Sequence, residues 1–204
     1  AGLPNISLED TKVNYTLLSF REELDSILTS GDIKLIDLYF NKFDNKNLKS
    51  YFRFRDLDPD PRGRITYEEY QTLIQALKEG GKAPKNSKLP AYFAQFLSVY
   101  LANQDSPELI TWEDYLASLY YAYAMKCSNK FVSEWFELNL NINNILSAIT
   151  CRKFGWDKKA YIIGNNKVAE SIRSSNARDF GLGDEVDYLP ELIRIAEEPD
   201  LTLR

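Results

Sequence analysis

The sequence contains no histidine. The commonest general base and the usual zinc ligand are therefore missing, together with every Ser-His or Cys-His nucleophile arrangement. Cysteine is almost as scarce: Cys127 and Cys151, 24 positions apart, form neither a disulfide framework nor a zinc pattern. Their apolar surroundings fit buried free thiols in a reducing compartment. A basic excess is also lacking, since 25 Lys and Arg against 30 Asp and Glu give a formal net charge of −5. That argues against a general nucleic-acid binder and leaves an acidic surface open to a basic partner. No apolar run reaches the ~20 residues of a spanning helix, and Ala1-Gly2-Leu3-Pro4 does not read as a secretory signal. Gly181-Leu182-Gly183-Asp184 lacks the third glycine of a dinucleotide fingerprint and follows no strand signal. No cofactor and no catalytic apparatus are expected, although so many acids leave a carboxylate-pair hydrolase as an open alternative. The chain begins without Met and stops at Arg204 in a helix-like charged stretch, so both ends are expected to be trimmed.

What is present is apolar and aromatic material: 44% of the 204 residues are hydrophobic, with 13 Tyr, 11 Phe and 3 Trp, enough for a real core. Leu17, Leu18, Phe20, Leu24, Ile27 and Leu28 recur at helical spacing. Ser30-Gly31-Asp32 reads as a stop with Asp32 as the next N-cap. Helices are expected at 33–43, 45–55, 66–77, 91–102, 112–127, 129–153, 168–174 and 188–198, and strand signals are few. The fold class is all-α, a multi-helix bundle. Residues 1–204 read as a single helical domain, with a possible subdivision into 1–80 and 90–204 by the Gly-, Lys- and Pro-rich segment 78–90.

Two segments share a pattern 97 residues apart. Placing Asn47 over Asn144 sets Phe43 on Leu140, Asp44 on Asn141, Leu48 on Ile145 and Phe52 on Ile149. Asp44 and Asn47, like Asn141 and Asn144, are three apart and share a helical face. Buried there, such side chains must find polar partners and so fix how helices pack. The readings are two or more pseudo-repeats or two unrelated amphipathic helices with Asn at a polar–apolar boundary.

Asp58-Pro59-Asp60-Pro61-Arg62-Gly63-Arg64-Ile65-Thr66-Tyr67-Glu68-Glu69 matches a calcium-binding EF-hand loop at five of its places, with Asp58, Asp60 and Glu69 as weak metal candidates. Arg62 stands where an oxygen ligand belongs, and Pro59 and Pro61 stiffen the loop. A turn followed by a capped helix is the competing reading, with Thr66 and Glu69 as its capping box. Further on, Arg178, Asp179 and Phe180 lie between small and polar residues. They read either as a protein-contact patch anchored by Arg and Phe or as an interhelical loop with Arg178 and Asp179 pairing locally.

Asp44-Asn45-Lys46-Asn47-Leu48 and Asn141-Ile142-Asn143-Asn144-Ile145 resemble the Asp-x-x-Asn-Leu element repeated in the C-subunit family of archaeal and bacterial V/A-type ATPases, known as the d-subunit in eukaryotes. Arg53 and Arg152 are approximate counterparts of that family's following arginine. Ala1-Gly2-Leu3-Pro4, Met125-Lys126-Cys127-Ser128-Asn129-Lys130-Phe131 and Asn176-Ala177-Arg178-Asp179-Phe180-Gly181-Leu182 resemble, in addition, an uncharacterised bacterial family whose genes sit in V-type ATPase operons. The resemblance implies a non-catalytic, C-subunit-like connector between the central rotor shaft and the membrane rotor ring. It would bind no nucleotide and no nucleic acid, and would lie in the cytoplasm, peripheral to the inner face of the plasma membrane through its protein partners. The alternative is an EF-hand-like calcium-responsive protein-binding module.

Overall fold

The computed structural model describes residues 15–53, 58–84, 89–103 and 111–200. These residues form α-helices and one 3₁₀ turn, and no strand occurs among them. The chain is all-α and divides into two compact units, Ala1–Pro90 and Ala91–Arg204.

In the first unit, α1 (Leu17–Ile27) starts at Thr16, whose hydroxyl accepts from Ser19 N at 3.1 Å. The second helix, α2 (Ser30–Arg53), is continuous where the sequence suggested two. No glycine or proline interrupts 32–53. Asp44 and Asn47, near its centre, direct their side chains to a loop instead of competing for the helix backbone. Its start also differs from expectation. Thr29, not Asp32, accepts the first-turn N–H, from Asp32 N at 3.2 Å, and Asp32 sits inside the first turn near the positive helix end. The unit closes with α3 (Tyr67–Lys78). Leu38, Phe40, Phe43, Leu48, Ile65, Tyr70 and Leu73 are buried between these elements.

In the second unit, α4 (Ala91–Ala102) and α5 (Trp112–Ala124) pair through rings, with Phe96 edge-on to Trp112 and Tyr92 against Tyr120. Helix α5 ends at Ala124, short of the expected limit at Cys127. The long α6 (Lys130–Phe154) is capped by Asn129, which accepts from Val132 N at 3.0 Å, and ends at Gly155 with φ 69°. Glycine adopts that left-handed cap without the Cβ penalty other residues meet. Then come a 3₁₀ turn (Lys158–Ala160), α7 (Lys167–Ser174) and α8 (Leu189–Glu197). Ile145, Ala148, Ile162, Ala169, Ile172, Phe180, Leu182 and Leu189 form one buried cluster that gathers α6, α7 and the segment leading to α8. Cys151 is buried, Cys127 half-buried, and both thiols are free. No helix among the described residues is long and apolar enough to cross a membrane.

Candidate functional site

The Asn-bearing positions singled out in the sequence lie on α2 and α6, and each faces a loop that leads into the following capped helix. On α2, Asn47 Nδ2 donates to Asp60 O at 3.0 Å while its Oδ1 accepts from Asp60 N at 2.7 Å. One amide thus satisfies both backbone groups of a loop residue. One turn earlier, Asp44 Oδ1 accepts from Arg64 N at 2.6 Å and Ile65 N at 3.0 Å, and Tyr70 donates its hydroxyl to Asp44 O at 2.9 Å. Burial pushes the Asp44 carboxyl above its ordinary range, against the pull of the two loop N–H groups. Gly63 fits between these side chains; a Cβ there would lie 2.3 Å from Asn47 Nδ2 and 2.9 Å from Asp44 Oδ1.

On α6 the same two-bond pattern recurs. Asn144 Nδ2 donates to Ile163 O at 2.8 Å and its Oδ1 accepts from Ile163 N at 3.0 Å. Asn141 Oδ1 accepts from Asn166 Nδ2 at 2.8 Å, and Asn166 itself caps α7 by accepting from Ala169 N at 3.1 Å. Here too a glycine follows the clamped residue: Gly164 holds φ 75°, and a Cβ on it would meet Leu140 Cδ2 at 3.0 Å. Arg173 adds donors to Ile162 O at 3.0 Å and Gly164 O at 2.5 Å. Buried polar side chains in both helices are thus spent on orienting loops, which is a structural task.

The EF-hand-like loop is occupied by its own bonds. Asp60 receives Arg62 Nε at 2.8 Å and Lys46 Nζ at 3.1 Å, and the Arg62 guanidinium holds its carboxyl well below the usual carboxylate range. Glu69 Oε2 accepts from Thr66 N at 2.9 Å, while Thr66 Oγ1 accepts from Glu69 N at 3.2 Å, a complete capping box. Asp58, Asp60 and Glu69 are not gathered into a cation cage, and no cluster of three potential metal-binding side chains exists among the described residues.

Phe180 is not an exposed anchor. It is 1% exposed, in the cluster beneath α6, with φ 56° and Arg152 stacked 4.2 Å above its ring. Its apolar ring outweighs the exposed character of its neighbours. Arg178 reaches Glu197 at 3.5 Å, not Asp179, and Asp179 Oδ1 accepts from Gly181 N at 3.0 Å to hold the turn.

A family model described as "Protein of unknown function (DUF2764)" matches residues 1–204. The chain belongs to the DUF2764 family. Neither a curated protein nor a solved structure matches it.

One surface of this DUF2764 chain has no signature in the sequence. Phe154, Trp156 and Tyr161 are 58%, 52% and 40% exposed and stack in series, with ring centroids 5.3 and 5.7 Å apart. Helical periodicity carries no signal for Trp156 and Tyr161, which lie past the end of α6, and the aromatics of 154–161 could equally have turned inward. Beside them runs a cleft of about 480 Å³ edged by Tyr121, Asn143, Ser147, Thr150, Trp156 and Tyr161.

Proposed function

We propose that this DUF2764 protein is a non-catalytic connector of a bacterial V/A-type ATPase, joining the central rotor shaft to the membrane rotor ring in the manner of the C-subunit family. The observation that carries the reading is the pair of matching clamps. The two sequence elements that resemble the Asp-x-x-Asn-Leu repeat, at Asp44–Leu48 and Asn141–Ile145, use Asn47 and Asn144 in the same way, each holding both backbone groups of one loop residue. The pseudo-repeat of helix, clamped loop and capped helix belongs to this proposal.

A part that carries torque needs helix pairs whose angles do not drift. An amide bonded twice to a facing backbone resists rotation about either bond, and shielding from water strengthens both. Asp44 and Asn141 stiffen the same loops through N–H groups and the α7 cap. The protein binds proteins of the shaft and the ring and no nucleotide, at the cytoplasmic face of the plasma membrane. Calcium responsiveness is the weaker reading, because Arg62 and the capping box already engage Asp60 and Glu69.

The deciding experiment is affinity capture of the full-length protein from its native host in gentle detergent, with partners identified by mass spectrometry. Shaft and ring proteins at matching stoichiometry are expected. Capture of neither, under conditions that keep the ATPase assembled, overturns the connector.

A further inference from the structure

Residues 152–161 concentrate positive charge in a chain that is acidic overall. Arg152, Lys153, Lys158 and Lys159 face a single carboxylate, Asp157, within this stretch. The same stretch carries the stacked, solvent-facing rings of Phe154, Trp156 and Tyr161. Part of the charge offsets the negative C-terminal end of α6, but that role asks for no exposed aromatic ladder.

Next to the ladder lies a cleft of about 310 Å³ whose lining includes Arg152, Trp156, Asp157, Lys158, Asn176 and Phe180. Arg152 donates to Ala177 O at 2.8 Å and Arg178 O at 2.9 Å; Lys158 donates to Ser175 O and to Asn176 Oδ1 at 3.2 Å. These acceptors are neutral oxygens. Burial and the neighbouring Arg152 and Lys159 charges hold the Lys158 ammonium below its ordinary range, a strain that an arriving anion would relieve.

We propose that this face binds an anionic phospholipid bilayer, with the three rings entering the headgroup region and the cations meeting lipid phosphates. Exposed Trp, Tyr and Phe are at their most stable where an apolar body and a wet edge meet, as at the bilayer interface. Lysines beside them add attraction to an anionic leaflet. An acidic protein partner would satisfy the charges but offers no reason for three adjacent rings standing free at a helix end. Lipid binding of this kind is independent of the connector reading, since bare vesicles contain no ATPase component.

The test is co-sedimentation of the full chain with vesicles of equal parts phosphatidylcholine and phosphatidylglycerol, against phosphatidylcholine alone. Binding to the anionic vesicles only is expected, falling as salt rises. Phe154→Ser with Trp156→Ser should weaken it more than about tenfold, from the lost apolar burial. Lys153→Glu with Lys159→Glu, at two exposed positions, should weaken it at least about thirtyfold, from roughly a fivefold loss for each lysine removed, while circular dichroism and melting stay unchanged. Trp156→Phe keeps a ring and should keep most of the binding. Absence of sedimentation, equal binding to both vesicle types, or undiminished binding by folded variants of both kinds overturns the proposal. The first of these results would point to an acidic protein as the occupant.

Discussion

Asn144 supplies a donor and an acceptor to one residue, Ile163, from a side chain that is 1% exposed. Replacing it by Leu leaves both Ile163 backbone groups, which are partly buried, without their side-chain partner, which costs about 1–3 kcal/mol. Asn144→Asp separates the two halves of the clamp. The acceptor survives, but a carboxylate oxygen now opposes Ile163 O, so this variant is also destabilised at neutral pH. Its folded-state pKa would be raised, and the sign follows: the penalty is present above that pKa and is relieved as pH falls through it. Thermal unfolding at pH 7 and pH 5 should show the Asp variant recovering while the Leu variant does not. An unchanged melting profile for Asn144→Leu would remove the clamp from the account of stability. The residue type and its spacing were legible in the sequence, since buried Asn at i and i+3 demands partners. The partner, 19 residues away, was not, because nothing local encodes where a loop returns.

The helices themselves follow from short-range chemistry. Thr66 and Glu69 form a reciprocal cap at the start of α3, and Asn129 and Asn166 open α6 and α7 with single-sided caps. Thr66→Ala should cost about 1 kcal/mol, and Glu69→Ala a comparable amount, since each removes one of the two reciprocal bonds. Combined, they should cost less than the sum, as expected for two side chains serving one cap. Chemical denaturation of the single and double variants measures this, and strict additivity would show that the two bonds act independently. The same geometry bears on the EF-hand-like pattern. A loop that precedes a capped helix and a loop that wraps calcium both call for Asp, Gly and a Glu near the helix start. Arg62, folding back on Asp60, favours the capped helix in this chain. The fused α2 is the clearest departure from the sequence pattern at this scale. The sequence pattern places a break between 43 and 45, yet Asn41, Asp44, Asn45 and Asn47 are buried within one helix.

At the scale of the whole molecule, the ionisable groups predict a response to acid. Asp60 has a folded-state pKa depressed by Arg62, so its contribution is complete above the ordinary carboxylate value near ~4 and is lost as pH falls below that. Asp44, raised by burial, works in the opposite direction, and its protonation relieves a desolvated charge. Asp60→Asn should therefore lower the melting temperature at pH 7 and shrink the further drop between pH 5 and pH 2.5. Asp44→Asn, which keeps the Oδ1 acceptor, should be tolerated at pH 7. Melting curves across that range check both, and an equally steep acid loss in Asp60→Asn would assign the acid sensitivity elsewhere.

The sequence by itself determined the all-α class, most helix boundaries and the Thr66–Glu69 cap of α3, because periodicity and capping act within one or two turns. It also marked Asp44, Asn47, Asn141 and Asn144 as polar groups requiring partners. Only the tertiary structure decided which loop atoms those groups hold, that Phe180 turns inward, and that Phe154, Trp156 and Tyr161 face solvent. Those outcomes depend on contacts between residues distant in the chain, where competing burials of similar aromatic rings are settled by which cavity the neighbouring helices leave to be filled.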